Sequence, residues 1–100
     1  NDAMNDKLNI TIKVADLAPL GMSVPFEGEE DIRLAEYYVN RAWDKWMHSK
    51  PRDKESKDIL GMVAIHFTKL YIQELRKNEK LDARLQEFEK QLDKLLLDIE

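Results

Sequence analysis

The chain of 100 residues has no cysteine, only three glycines and three prolines, and no long apolar run. Without cysteine there can be no disulfide, no thiolate metal site and no cysteine nucleophile. No apolar stretch approaches the roughly 20 residues that a helix needs to cross a bilayer, and no basic start followed by an apolar segment suggests a secretory signal. We therefore expect a cytoplasmic protein with no membrane contact.

Residues that could carry catalysis are also few. The two histidines, His48 and His66, lie on different predicted helices, where a lone histidine is more often packed or at an interface than a metal ligand. The glycines are scattered, so no loop could cradle a phosphate, and nothing in the sequence supports a serine triad. We expect no enzyme activity, no metal and no cofactor.

Charged residues make up 36% of the chain, with 20 acidic and 16 basic side chains and a net charge of -4. The two signs are interspersed, whereas phosphate binding needs a basic stripe, so a nucleic-acid partner is not expected. Few glycines and prolines beside many charges are typical of long helices. The length allows one domain at most.

Two stretches of alternating apolar and polar residues predict a β-hairpin over residues 8–26. Residues 8–14, LNITIKV, alternate apolar and polar side chains, as in a strand with one buried face. After the turn residues of ADLAP, the stretch LGMSVPF alternates again. Pro25 cannot donate to a ladder, so we expect it at an edge or at the end of the strand.

Two helices are predicted to follow the hairpin. The acidic run EGEED places carboxylates in the first turn of a helix over residues 29–48. Pro51 and the dense charge of KPRDKESKD predict a solvated loop, and Ser56 is the expected N-cap of the next helix. From there to Glu100 the pattern is unbroken, which predicts one long helix of about 66 Å.

Apolar residues along this long helix recur at the three- and four-residue spacing of a coiled coil. We predict an α+β fold, in which the hairpin, the short helix and the start of the long helix form a small head over residues 1–72. A coiled-coil stalk over residues 73–100 continues the same long C-terminal helix. The residues expected to join copies of the chain are Phe67, Tyr71, Asn78, Leu81, Leu85, Phe88, Leu92, Leu95 and Ile99.

Two polar residues, Glu74 and Asn78, interrupt the seam. A buried Asn can fix register and partner number, whereas an alternative is that packing simply loosens where the head ends. Charges beside the seam favour a parallel pair, since Lys77 would then face Asp82 of the other helix. Such exposed pairs contribute only about 0.2 to 1 kcal/mol, so they bias the orientation without fixing it.

The first helix carries aromatic and basic residues that fit two interpretations. Trp43 and Trp46, with Tyr37 and Tyr38 before them, are either interface anchors or the core side of the helix. The local basic concentration near the end of this helix would attract an acidic partner, although charged loops are usually just solvated.

The order of these elements resembles the ZapA family of bacterial cell-division proteins. The matching stretches are NITIKV, MSVPF leading into EGEEDIRLAEYYVN, and DILGMVAIHFTKLYIQEL. Where the family has Leu-Asn or Val-Asn in the first helix this chain has Val39-Asn40. It departs from the family at His66, in the longer turn ADLAP, and at Trp43 and Trp46.

The resemblance implies a non-enzymatic adaptor at the division site, which binds the tubulin-like protein FtsZ, cross-links and bundles its protofilaments and stabilises the cytokinetic Z-ring. It implies a homodimer through the heads and a homotetramer through the long helices. By position in the head, Arg41, Lys45, Lys50 and Arg52 are the expected FtsZ-binding residues. The alternative is a plain coiled-coil oligomerisation module of another assembly.

Overall fold

The structure is a computed structural model that describes residues 6–77 and 81–99, with backbone alone for residues 81 and 96–99. Its elements are strands β1 (Lys7–Ile12) and β2 (Leu20–Pro25), a short 3-10 helix (Phe26–Gly28), and helices α1 (Glu29–Met47), α2 (Ser56–Arg76) and α3 (Leu81–Ile99). The chain is therefore α+β, with an antiparallel hairpin followed by three helices. It divides into two compact units, residues 1–64 and 65–100.

The hairpin is confirmed, with slightly shorter strands than predicted. Lys7 of β1 lies opposite Pro25 of β2, and Ile12 lies opposite Leu20. Pro25 is the last residue of its strand, as its missing N–H requires. The alternation places Ile10 and Val24 on one face, where both are buried.

Side chains of α1 fasten this helix to the far end of β1 and the turn after it. Arg33 donates to the carbonyl oxygen of Thr11 at 3.0 Å, and Glu36 accepts the backbone N–H of Lys13 at 2.7 Å. Asn40 donates to the carbonyl oxygen of Lys13 at 2.7 Å and accepts the N–H of Ala15 at 2.6 Å. We call these three side chains, Arg33, Glu36 and Asn40, the α1 latch.

The α1 latch holds a turn in which one residue has a backbone conformation that L-residues rarely adopt. Ala15 has a φ of 54°, in the left-handed region, where its Cβ crowds the following carbonyl. The two bonds of Asn40 reach the carbonyl oxygen of Lys13 and the N–H of Ala15, on either side of Val14 and directly before the left-handed residue. The helix therefore compensates for an unfavourable backbone conformation in the turn.

Among the described residues of the first unit, four apolar side chains from three elements are buried. They are Ile10 of β1, Val24 of β2, and Ile59 and Val63 of α2. Ile59 and Val63 are one turn apart, so they share one face of the helix. Trp43 links α1 to the start of α2, because its indole N–H donates to the carbonyl oxygen of Ser56 at 3.1 Å.

The predicted N-cap of α2 is wrong by one residue. The N–H of Ile59 donates to the carbonyl oxygen of Glu55 at 3.1 Å, which makes Glu55 the capping position and Ser56 the first helical residue. Asp58 accepts the backbone N–H of Glu55 at 2.9 Å, as the third helical residue does in a capping box.

The predicted single long C-terminal helix is also not observed. Helix α2 ends at Arg76, where the N–H of Lys77 donates back to Glu74 at 3.2 Å, a tightened final turn. The ring centroids of Tyr71 and Phe88 are 5.0 Å apart, although a straight helix would separate these residues by about 25 Å. The physical reason is that apolar residues left without a partner pack against the same chain.

Candidate partner-binding surface

The outer face of α1 carries an exposed group of aromatic, apolar and basic side chains. Its members lie three or four residues apart, which places them on one side of the helix: Leu34, Tyr37, Tyr38, Arg41 and Lys45. We call this group the α1 outer face.

The two tyrosines of this face are ordered by contacts with their neighbours. Their rings meet edge to face with centroids 5.0 Å apart, and Arg41 donates to the hydroxyl of Tyr37 at 3.2 Å. Both tyrosines are exposed, like Arg41 itself. An exposed cation held beside aromatic rings has the composition of an interface anchor, since Tyr and Arg are enriched among the residues that dominate binding energy.

The four predicted binding residues fall into two places. Arg41 and Lys45 lie one turn apart on the α1 outer face, whereas Lys50 and Arg52 lie in the connection between α1 and α2. Among the described residues, the ion pairs near this connection are formed by two other lysines. Lys54 lies 4.0 Å from Asp53, and Lys57, at the start of α2, lies 3.6 Å from Glu55.

The tryptophans and tyrosines of α1 point in different directions. Trp43 and Trp46 are half-buried, and Trp43 is engaged with Ser56, which favours the core interpretation for Trp43. Tyr37 and Tyr38 are exposed, which favours the interface interpretation for them. Sequence reasoning missed Leu34, although its spacing of four residues from Tyr38 and seven from Arg41 could have placed it on the same face.

The predicted oligomerisation residues are partly used within the chain. Tyr71 and Phe88 contact each other, and Phe67 and Leu85 are half-buried, while Leu92 and Leu95 stay exposed. Asn78 and the side chains of Leu81 and Ile99 lie outside the described residues. Near the end of α2 the buried residue is Leu75, at 2% exposure, which was not predicted on the seam. Glu74, which was placed on the seam, has a side chain that is 71% exposed.

Neither a metal site nor a membrane helix is found in residues 6–77 and 81–99. No group of three or more His, Asp or Glu side chains there could hold a metal ion. No helix of this part combines the length and the apolar character needed to span a bilayer.

The fold and its surface define a class: a small α+β unit with an exposed aromatic and basic helix face, followed by helices with uncovered leucines. The family model described as cell division protein ZapA matches residues 10–99, and the chain belongs to this family. The family is one of cell-division proteins that associate with FtsZ. No curated protein and no solved structure matches the chain significantly.

Proposed function

We propose that this chain is a non-enzymatic adaptor of cell division that binds FtsZ, cross-links and bundles its protofilaments and stabilises the Z-ring. The observation that carries the proposal is the family match over residues 10–99. Its place of action is then the cytoplasmic side of the division site.

The α1 outer face, together with Lys50 and Arg52, is the proposed FtsZ-binding surface. Exposed cations beside exposed aromatic rings suit a partner surface that is acidic around an apolar centre, because opposite charges steer the encounter and aromatic anchors provide the contact area. The hydrogen bond from Arg41 to Tyr37 holds this cation near the rings before any partner arrives.

Cross-linking also requires that copies of the chain associate. Leu92 and Leu95 of α3 are exposed, at 44% and 56%, on a helix whose charges fill the positions between them. We assign filament binding and homodimer formation to the head over residues 1–72, and the joining of two dimers into a homotetramer to residues 73–100. Two binding units on one oligomer raise the effective concentration of the second binding event once the first filament is held.

Co-pelleting with polymerised FtsZ tests this proposal. The wild-type chain should pellet with FtsZ in the presence of nucleotide and bundle the filaments, and should stay in solution without nucleotide. The double charge reversal Arg41→Glu and Lys45→Glu should reduce the pelleted fraction. The control is Lys90→Glu with Lys94→Glu, which makes the same charge change four residues apart at exposed positions of the second unit.

A sizing measurement on the same variants separates the two functions. If the wild-type chain forms a stable oligomer but never pellets with FtsZ, it is a coiled-coil oligomerisation module of another assembly. If both double variants pellet like the wild type, the α1 outer face is not the binding surface.

A further inference from the structure

The end of α2 and helix α3 belong to the same compact unit, and they meet through two aromatic rings. The ring centroids of Tyr71 and Phe88 are 5.0 Å apart, with 52° between the ring planes, which requires α3 to turn back toward α2. Leu75 lies one turn after Tyr71 on the same face of α2, and it is only 2% exposed. We call this arrangement of the end of α2 and α3 the closed form.

The closed form uses side chains that the predicted seam needs for joining copies of the chain. Three residues of that seam are half-buried in it: Phe67, Leu85 and Phe88. A fourth, Tyr71, has its ring against Phe88. A side chain that is covered within its own chain is not available to a second chain. Closure and pairing along the seam therefore exclude each other.

Glu74 and Leu75 distinguish the closed form from a continuous helix. In a continuous helix the three- and four-residue spacing puts Glu74 on the seam and Leu75 beside it. In the closed form Leu75 is buried, whereas the Glu74 side chain is 71% exposed and lies 3.2 Å from the amino group of Lys77. Burying a carboxylate costs free energy that burying a leucine does not. At this turn the sequence favours the closed form.

The rest of the sequence favours association when many copies are present. Residues 77–80, KNEK, contain neither glycine nor proline, so the sequence also allows a continuous helix. Leu92 and Leu95 stay exposed in the closed form, at 44% and 56%, so pairing along the seam covers more apolar surface than closure does. Pairing costs the entropy of bringing chains together, which closure within one chain does not. Closure is therefore favoured at low concentration and pairing at high concentration.

We propose that the closed form is an autoinhibited state, in which α3 folded back on α2 keeps copies from joining through their C-terminal helices until their concentration is high. Opening then releases both aromatic rings of the contact for the seam at once. Cross-linking by such a chain is limited to places where many copies gather, because a state that is rarely open binds with reduced apparent affinity. This inference rests on the proposed homotetramer but not on FtsZ binding.

The direction of one leucine-to-alanine effect tests this proposal. Leu75 is buried in the closed form and lies off the seam, so Leu75→Ala should weaken closure more than pairing. The concentration at the midpoint of tetramer formation should then fall by about tenfold or more. Without autoinhibition, the loss of a buried leucine should leave this midpoint unchanged or raise it. Sedimentation velocity of the full chain over a concentration series measures the midpoint.

Three further variants serve as controls for this measurement. Leu70 lies off the seam and is 43% exposed, so Leu70→Ala should change the midpoint by less than about twofold. Leu95 lies on the seam and is 56% exposed in the closed form, so Leu95→Ala should raise the midpoint. Leu75→Met nearly keeps the side-chain volume and should behave like the wild type. Circular dichroism checks that each variant keeps its helices, and Leu75→Val, a smaller truncation with a shift in the same direction, replaces Leu75→Ala if that variant loses helical signal.

Two results would overturn the autoinhibition and leave the homotetramer intact. One is a midpoint that is unchanged or raised when Leu75 is truncated, and the other is a fall of equal size for Leu70→Ala. If no variant forms a tetramer at any concentration, the autoinhibition and the homotetramer are both refuted. The expected fall for Leu75→Ala in a chain that never pellets with FtsZ would support the autoinhibition and refute the proposed filament binding alone.

Discussion

The amide of Asn40 bonds to backbone groups on both sides of Val14, accepting the N–H of Ala15 at 2.6 Å and donating to the carbonyl oxygen of Lys13 at 2.7 Å. We expect Asn40→Ala to lower the free energy of unfolding by about 1 to 2 kcal/mol, because both bonds are lost at a partly buried site. Urea unfolding followed by circular dichroism measures this. Asp44→Ala, an exposed change on the same helix, should stay within about 0.5 kcal/mol.

Ala15 itself provides a prediction of opposite sign. Its φ of 54° is unfavourable for a residue with a Cβ, so Ala15→Gly should raise the free energy of unfolding by about 0.5 to 1 kcal/mol. The matched control is Ala35→Gly in α1, where the same substitution should destabilise by about 0.5 to 1 kcal/mol. Equal losses of stability in both variants would show that the turn is not left-handed at Ala15.

The α1 latch also predicts a pH dependence. The N–H of Lys13 lowers the pKa of Glu36 below its ordinary value of 4.5, the guanidinium of Arg33 acts in the same direction, and burial acts against them. The folded state therefore binds the proton of Glu36 less tightly than the unfolded state does, so ionised Glu36 stabilises the fold. This stabilisation is present above the ordinary pKa and is lost as the pH falls through the lowered pKa.

Glu36→Gln should therefore be less stable than the wild type at neutral pH, and the difference should shrink below pH 4.5. Urea unfolding at a series of pH values from about 3 to 7 measures it. Glu87→Gln, at an exposed position in the middle of α3, is the control and should change the free energy of unfolding by less than about 0.5 kcal/mol. A difference for Glu36→Gln that stays constant over this range would contradict the lowered pKa.

Trp43 is predicted to stabilise the contact between α1 and α2 through its indole N–H. Trp43→Phe keeps an aromatic ring but loses the bond to the carbonyl oxygen of Ser56, which should cost about 0.5 to 1.5 kcal/mol. Tyr38→Phe, which also removes one polar group from an aromatic ring of α1, should change stability by less than about 0.5 kcal/mol. Similar losses in both variants would argue against the bond to Ser56.

The hairpin and the first helix could be predicted because each shows its own period in the sequence, two residues for the strands and 3.6 for the helix. The α1 latch could not, since Asn40 meets Lys13 across 27 residues and no local pattern connects them. Periodicity also identifies an apolar stripe without saying what covers it. For that reason the contact of Tyr71 with Phe88 inside one chain was not anticipated.

That contact distinguishes two arrangements of the second unit. Spin labels on Lys69→Cys and Lys90→Cys, two exposed positions on α2 and α3, would be about 32 Å apart along one straight helix. Because Tyr71 and Phe88 are in contact, we expect a clearly shorter distance by pulsed electron paramagnetic resonance. Labelled chains should be diluted into an excess of unlabelled chains, so that only distances within one chain are measured.

A second label pair checks whether the measurement gives the correct distance within α3. Asp82→Cys and Lys94→Cys lie on the same helix and should be separated by about 18 Å in either arrangement. If this control gives its expected distance while the first pair lies near 32 Å, the helix is continuous and the fold-back is refuted. A short first distance that lengthens at high protein concentration would show that other copies compete for Tyr71 and Phe88, because the apolar side chains can be covered only once.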